Sequence, residues 1–159
     1  MRVRILCVGK LKEPGLRLLA DEYKKRLSRY AAIEIIECAD EPVPEMFSPQ
    51  QRLAAMQKEG ARLMKHMRDK QFTAILAVNG GRHSSEGFAR AVQEWMRQGG
   101  ATLTFIIGGS LGLSQEICAR ATAAISLSDM TFTHQLSRVL LLEQLYRAFK
   151  IAANEPYHK

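Results

Sequence analysis

The sequence predicts an α/β fold in which helices flank both faces of a mostly parallel sheet. Apolar segments short enough to be strands alternate with segments of helical length along the chain. Two of the strand segments, 72–78 and 103–107, are almost continuously apolar, which is typical of parallel strands buried on both faces. With 159 residues the chain has the length of one domain, so we predict a single domain over residues 1–159.

The first strand and helix follow from hydrophobic periodicity. Residues 2–8 form a short apolar strand, and a basic amphipathic helix comes after it. The apolar side chains that recur at helical spacing are Leu16, Leu19, Tyr23 and Tyr30. Residues 33–38 form the second strand. Pro42 and Pro44 then favour a loop, because proline restricts its own backbone and that of the preceding residue.

The second helix has a recognisable start. Ser48, Pro49 and Gln51 have the order of a capping box, in which the serine and a glutamine three residues later bind each other's backbone N–H groups. The predicted core face carries Leu53, Met56, Leu63 and Met67. Glycine inside a helix costs about 1 kcal/mol relative to alanine, so Gly60 indicates close packing.

The second half of the chain continues the alternation. Strand 72–78 ends in a turn at 79–81, and Ser84 or Ser85 caps a helix that ends at Gly99-Gly100. The remaining elements are a strand at 103–107, a glycine-rich turn at 108–112, a helix from about 114, a strand at 124–128 and a helix from about 134 to 153.

Composition excludes several classes of protein. The three cysteines stand far apart and form no cluster with histidine, so we expect neither a metal site nor a disulfide framework. The apolar runs are too short for a membrane span or a signal peptide, and we expect a cytoplasmic protein without membrane association. The net charge of +7 and the pI near 9.6 favour a polyanionic partner such as nucleic acid.

The glycine-rich turn at 108–112 is the first of two segments that could bind a ligand. It follows a buried strand and opens a helix, which is where open α/β sheets bind ligands. It has neither the Gly-Lys-Ser/Thr of a phosphate-binding loop nor the GxGxxG spacing of a dinucleotide site. Its glycines would let the backbone approach a flat, uncharged group such as adenine. The alternative is an ordinary tight turn.

The second segment, residues 127–135, links the last strand to the last helix without glycine or proline. We therefore expect an ordered loop whose backbone polar groups need partners. A bound ligand could supply some of them. Alternatively, Ser128, Asp129 and Thr131 could supply them from within the loop.

The last helix is apolar around most of its circumference, which in a small domain indicates an oligomer interface. Two polar pairs stand out on it at i, i+4 spacing, His134 with Arg138 and Glu143 with Arg147. The second pair has the acid-first order of a surface ion pair, worth roughly a few tenths of a kcal/mol. The tail at 157–159 could fray, or it could stack on a base and contact phosphate.

Several motifs occur in order along the full length of the chain. They are Val8-Gly9-Lys10, Lys58-Glu59-Gly60, the segments 84–89 and 107–113, Met130-Thr131-Phe132, Arg138-Val139, the segment 143–148 and Tyr157-His158-Lys159. Together they resemble the SPOUT methyltransferase family that modifies N3 of a pseudouridine in large-subunit 23S ribosomal RNA, known as the RlmH or YbeA family. One difference is Thr133, where the family usually has proline before the histidine.

The resemblance implies a SPOUT (α/β-knot) fold with a C-terminal trefoil knot, although knots are rare among protein topologies. It also implies a homodimer, S-adenosyl-L-methionine as methyl donor, no metal, and large-subunit ribosomal RNA, on the assembled ribosome, as substrate. The implied cofactor-binding residues are Leu76, Gly108, Leu127, Ser128, Asp129, Met130, Thr131 and Phe132. The implied catalytic or RNA-facing residues are His134, Arg138, Glu143, Arg147, Tyr157, His158 and Lys159.

Methyl transfer from a sulfonium needs no metal and no covalent enzyme intermediate, so positioning should supply most of the rate. The attacking N3 must lose its proton, and our hypothesis is that His134, Glu143 or His158 assists while Arg138 and Arg147 hold phosphate. A noncatalytic RNA-binding or ribosome-assembly protein is the main alternative. It would explain the charge, but not the glycine turn and the 127–132 loop. A flavodoxin-like nucleotide enzyme is a second alternative.

Overall fold

The structure is a computed structural model, and it describes residues 1–157. Strands and helices alternate along this part of the chain without exception. In order they are β1 (Arg2–Val8), α1 (Pro14–Leu27), β2 (Ala32–Cys38), α2 (Pro49–Met64), β3 (Phe72–Gly81), α3 (Ser85–Gln98), β4 (Thr102–Ile107), α4 (Gln115–Arg120), β5 (Ala123–Ile125) and α5 (His134–Ala152).

The five strands form one sheet in the order β2-β1-β4-β3-β5. Each neighbouring pair is parallel, so the carboxyl ends of all five strands meet at the same edge. The predicted α/β fold with a mostly parallel sheet is confirmed, and the trefoil knot stays a prediction. From β1 the chain runs outwards to β2, and it then crosses to β3 on the far side of β4. The strand order therefore changes direction between β1 and β4, and open parallel sheets bind ligands at such a point.

Alternation of side chains along the central strands separates the core into two layers. Val3, Ile5 and Cys7 of β1 pack with α1, α3 and α5 on one face of the sheet. Leu6 and Val8, which point the other way, pack with α2 and α4 on the opposite face. Strand β1 is therefore buried on both sides from Val3 to Val8.

Much of the apolar circumference of α5 is buried within a single chain. This helix packs against α1 and α3 and over the sheet, and Leu141, Leu142 and Leu145 are completely buried there. Three neighbours in the same chain thus cover much of the helix, whereas Leu136 and Leu140 are only partly buried. The homodimer itself stays a prediction.

Helix α2 confirms the predicted start and part of the predicted face, since Leu63 is buried and Met67 packs against the core. Ser48 Oγ accepts a hydrogen bond from Gln51 N–H, and Gln51 Oε1 accepts one from Ser48 N–H at 2.9 Å, which completes the capping box. The face towards the sheet carries Ala55, Glu59, Gly60 and Leu63, whereas the predicted core residue Leu53 is half-exposed. The buried face includes the small residues Ala55 and Gly60, which allow close approach.

Two strand ends differ from the sequence prediction. Strand β3 continues through the predicted turn at 79–81, and Gly81 pairs with Ile125 after a register shift. Strand β5 ends at Ile125, three residues before the predicted end, and the backbone N–H of Ser126 donates to Gly81 O at 2.9 Å. Pairing between distant segments decides both ends, and local sequence does not show it.

Helix α1 and the start of α5 show smaller differences. Leu19, predicted to face the core, is 49% exposed, and Tyr30 lies beyond the end of α1. Thr133 caps α5, since its Oγ1 accepts a hydrogen bond from Leu136 N–H at 3.3 Å. None of the helices within residues 1–157 combines the length and apolar character needed to cross a membrane.

Candidate functional site

A cavity of about 1030 Å³ opens at the carboxyl ends of β3 and β4 and beside the loop that follows β5. It has the size of a small-molecule site. The lining side chains are mostly apolar, and glycines and hydroxyl-bearing residues are interspersed among them. Those with a predicted cofactor role are Leu76, Gly108, Leu127, Ser128, Met130, Thr131 and Phe132. The structure thus brings together seven of the eight predicted cofactor residues, and Asp129 lies on the same loop.

The glycine turn at 108–112 forms one wall of this cavity. Gly109 and Gly112 form an isolated bridge, and the backbone N–H of Gly112 donates to Gly109 O at 3.1 Å. A Cβ atom on Gly108 would lie 2.7 Å from the carbonyl carbon and oxygen of Gly112. Gly112 has a φ of +89°, a backbone conformation that residues with a Cβ atom rarely adopt. The turn therefore exposes backbone to the cavity.

The loop at 126–133 forms the facing wall and is partly satisfied by its own side chains. Ser126 Oγ donates to Ser128 O at 2.9 Å, and Ser128 Oγ accepts from Met130 N–H at 3.1 Å. Asp129 forms an ion pair with Arg82 at the surface. Met130 is largely exposed at the cavity mouth. Self-capping by Ser128 thus accounts for part of the order of this loop, as one of the two sequence interpretations predicted.

His134 lies on the rim of the cavity at the first residue of α5. A Cβ atom on Gly9 would lie 3.1 Å from His134 Nε2 and 3.9 Å from the Asp40 carboxyl carbon, so the imidazole and this carboxylate flank the same glycine. Burial, followed by the charge of Arg138, lowers the pKa of His134 below its ordinary value of 6.5, while Asp40 opposes the shift. The imidazole is therefore neutral at neutral pH.

Arg138 lies one turn further along α5, where its side chain is only 1% exposed. Its guanidinium donates to Gly9 O at 2.9 Å and forms an ion pair with Glu37. Burial favours a higher pKa for Glu37, but the Leu11 N–H and Arg138 outweigh it and hold the pKa below its usual value. This placement differs from the RNA-facing position expected from the sequence, because α5 turns this residue towards β1 and β2.

The loop from Gly9 to Glu13 is held by side chains that sequence reasoning did not identify. Glu37 accepts from Leu11 N–H at 2.9 Å, and Gln135 Oε1 accepts from the N–H groups of Lys12 and Glu13 at 2.8 and 3.3 Å. Glu37 and Gln135 had no motif to mark them, since each acts on a segment more than 25 residues away. Together with Arg138 they order the segment that adjoins His134.

A second polar cluster lies near the C-terminus of α5. Glu143 accepts from Arg147 Nη2 at 2.7 Å, as the predicted i, i+4 pair requires, and also from Tyr157 Oη at 3.3 Å. The Tyr157 ring packs on Tyr146 with a 5.0 Å centroid separation, and Arg147 lies over its face at 4.8 Å. Burial, with hydrogen bonds to Tyr23 and Glu143, raises the pKa of Tyr157 to about 12.

This cluster does not line the cavity of its own chain. Glu143 follows His134 by nine residues, which places it about 13 Å further along the helix axis. His158 and Lys159, the other predicted tail residues, lie outside the described residues. Across residues 1–157, no group of three or more His, Cys, Asp or Glu side chains is arranged to hold a metal ion.

Comparison with known proteins agrees with this architecture. A family model described as "Predicted SPOUT methyltransferase" matches residues 1–158. A protein of Bifidobacterium animalis subsp. lactis named ribosomal RNA large subunit methyltransferase H is 51% identical over the full length of both chains. The protein of the same name from Clostridium novyi is 48% identical, again over the full length of both.

Two solved structures share the fold at low sequence identity. A probable methylase family protein from Haemophilus influenzae superposes with a TM-score of 0.54 at 14% identity, covering 99% of this chain and 70% of the other. A probable methyltransferase from Bordetella pertussis gives 0.53 at 14% identity, covering 92% and 95%. These two support the fold alone. The family match and the two close relatives show that the chain belongs to the SPOUT methyltransferase family.

Proposed function

We propose that this protein transfers a methyl group from S-adenosyl-L-methionine to N3 of a pseudouridine in large-subunit ribosomal RNA. The observation that carries the proposal is the cavity between the glycine turn and the 126–133 loop, with a neutral His134 on its rim. The names of the relatives support ribosomal RNA as the substrate, and the net charge of +7 suits a polyanion. We propose the assembled ribosome in the cytoplasm as its site of action.

The lining residues fit S-adenosyl-L-methionine. The apolar side chains of Leu76, Leu127 and Phe132 suit the flat face of adenine, and the backbone of the glycine turn is accessible beside them. The hydroxyl groups of Ser126, Ser128 and Thr131 can bind the ribose and the amino acid part. When bound, the cofactor supplies an electrophilic methyl group on a sulfonium.

The residues of the chain would supply orientation and proton transfer. We assign His134 as the group that accepts the N3 proton. Of the two candidate bases within residues 1–157, His134 and Glu143, it is the one that lines the cavity. Its lowered pKa keeps it unprotonated and able to act. A positioned base contributes roughly 10²- to 10⁴-fold to the rate. Arg138 is assigned a positioning role, since it orders the Gly9 loop beside His134.

The second cluster is assigned to RNA binding across a dimer. Arg147 and Tyr157 present a cation and an aromatic ring, which suit phosphate and base stacking, and Glu143 holds both in place. We propose that this cluster, with His158 and Lys159, serves the cavity of the partner subunit. The homodimer is supported by Leu18 and Leu19 of α1, which are adjacent in sequence and 72% and 49% exposed.

The experiment that tests this function is transfer of labelled methyl from S-adenosyl-L-methionine to ribosomes that lack the modification. The labelled nucleotide is then mapped by mass spectrometry. We expect label at N3 of one large-subunit pseudouridine, and loss of at least about tenfold in single-turnover rate for His134→Ala. Label at another position would refute the proposed target. An unchanged rate in His134→Ala would refute the assignment of the base.

Binding of the cofactor separates an enzyme from a noncatalytic RNA-binding protein. A ligand at ~100 times its dissociation constant stabilises the fold by about 2.7 kcal/mol. We expect a clear rise in melting temperature with S-adenosyl-L-methionine. The absence of any shift at saturating concentration would favour the noncatalytic alternative.

A further inference from the structure

A buried carboxyl group lies beneath the glycine turn on the α2 side of the sheet. Glu59 is only 3% exposed. Its Oε1 accepts a hydrogen bond from Glu41 N–H at 2.9 Å. Its Oε2 is equally buried and has no hydrogen-bond partner among the described residues 1–157. A buried oxygen in this state costs free energy of desolvation, so its position needs an explanation other than packing alone.

The backbone of the glycine turn approaches this carboxyl closely. A Cβ atom on Gly109 would lie 3.2 Å from Glu59 Oε2 and 2.9 Å from Val8 Cγ1. The next residue of α2, Gly60, approaches the N-cap of α4 just after the turn, because a Cβ atom on Gly60 would overlap Ser114 Oγ. Ser114 Oγ caps α4 by accepting from Ile117 N–H at 3.4 Å. Two consecutive residues of α2 therefore contact both ends of the segment 109–114.

The same carboxyl holds the loop that follows β2. Its bond from Glu41 is supported by Arg62, which donates to Ala39 O at 2.8 Å and pairs with Glu41. Asp40, between these two loop residues, shares the space beside Gly9 with His134. One oxygen of Glu59 thus holds the loop that carries Asp40, and the other lies against the turn that lines the cofactor cavity.

We propose that Glu59 is a positioning residue of the cofactor site, which sets the glycine turn and the 39–41 loop at one spacing relative to His134. The proposal relies on the proposed function for the identity of the cofactor. Burial raises the pKa of Glu59; the Glu41 N–H opposes this, Asp40 and Glu41 add to it, and Arg62 opposes it. A glutamine amide has the same shape as this carboxyl group, so Glu59→Gln keeps both the acceptor for Glu41 N–H and the contact with the turn.

Hydrogen exchange tests the proposal without any cofactor. In Glu59→Ala, we expect the amides of 108–112 and 39–41 to exchange at least about tenfold faster, together, than in the unmodified chain. Glu59→Gln should restore most of the protection. Ser48→Ala, which weakens the same helix at its exposed start, is the matched control and should leave both segments protected. Exchange unchanged in Glu59→Ala, or raised equally in the control, would overturn the proposal.

Calorimetric titration with S-adenosyl-L-methionine provides the second readout. We expect a dissociation constant about tenfold higher in Glu59→Ala, close to normal in Glu59→Gln, and normal in Ser48→Ala. Equal binding by all folded variants would overturn the role of Glu59 while leaving the proposed function intact. No binding by the unmodified chain would instead contradict the proposed function, and hydrogen exchange would still decide whether Glu59 sets the turn. If Glu59→Ala does not fold, hydrogen exchange in Glu59→Gln decides the question. Turn amides as well protected in Glu59→Gln as in Ser48→Ala support the proposal, and unprotected turn amides in Glu59→Gln overturn it.

Discussion

His134 is half-buried beside a cation, and both features disfavour its charged form. Its folded-state pKa therefore lies below the unfolded value near 6.5. His134 therefore contributes stability that is present above about pH 6.5 and is lost as pH falls through the folded-state pKa. Protonation drives unfolding, because the unfolded chain binds the proton more readily.

We predict that His134→Gln reduces the loss of stability below about pH 6.5, since glutamine has no proton to gain in this range. The measurement is urea unfolding of both proteins at several pH values between about 5 and 8. The difference in unfolding free energy between the original chain and His134→Gln should decrease as pH falls. His66→Gln, at an exposed histidine, is the control. A difference that does not vary with pH would contradict the prediction.

Arg138 is almost completely buried, whereas Glu37, its partner in the ion pair, is about one-third exposed. Removing the guanidinium in Arg138→Ala leaves Glu37 and the Gly9 carbonyl without their partner. We predict a loss of roughly 2–4 kcal/mol in unfolding free energy, below the full value for a buried pair because water screens Glu37. Urea unfolding measures it, and a loss under about 1 kcal/mol would show that the pair contributes little.

At the scale of elements, α2 shows how one glycine sets the distance between two helices. A Cβ atom at Gly60 would lie 3.0 Å from Ser114 Cβ and would overlap Ser114 Oγ. A Cβ atom on Gly15 in α1 would have no neighbouring atom within 4 Å. The two glycines are thus a matched pair within helices, one in contact with another element and one open to solvent.

We predict opposite effects of alanine at these two positions. Gly60→Ala should destabilise the protein by about 1–3 kcal/mol through overpacking, which exceeds the gain of about 1 kcal/mol in helix propensity. Gly15→Ala should be neutral or stabilising by up to about 1 kcal/mol. Thermal unfolding of both variants measures the difference. A stabilised Gly60→Ala would mean that α2 and α4 can separate freely.

The boundaries of helices and strands differ in how far they can be predicted from local sequence. The capping box of α2 and the cap of α3 at Ser84 are set by side chains within three residues of the bond they make. Such local bonds can be recognised in a sequence. The end of β3 and the length of β5 depend on pairing of Gly81 with Ile125, so they could not be predicted from either segment alone.

For the whole molecule, the position of α5 changes the argument for a dimer. Three of its leucines are completely buried by elements of the same chain, and the large apolar residues that remain exposed on the helices of residues 1–157 are Leu53 of α2 and, on α1, Leu18 and Leu19. Leu18 and Leu19 are adjacent there, whereas Met46, although 93% exposed, stands on a loop. A dimer interface on α1 would bring a second copy close to α5, which packs beside it.

We predict that the chain sediments as a dimer and that Leu18→Glu combined with Leu19→Glu makes it a monomer, because two buried charges would lack partners in the interface. Sedimentation velocity measures the oligomeric state, and circular dichroism checks that the monomer is folded. Met46→Glu is the control at another exposed apolar residue and should remain a dimer. A double variant that still dimerises would place the interface elsewhere.

The sequence by itself determined the alternation of strands and helices, the parallel sheet, the helix caps and the two segments that line the cavity. These features depend on periodicity and on bonds between near neighbours, and the family motifs lie in the same segments. Only the tertiary structure decided that Arg138 is buried against Glu37, that Glu59 lies beneath Gly109, and that Glu143 is remote from the cavity of its own chain. Each of these depends on how far a helix is rotated about its axis and on which distant strand it covers, and packing of the whole core determines both.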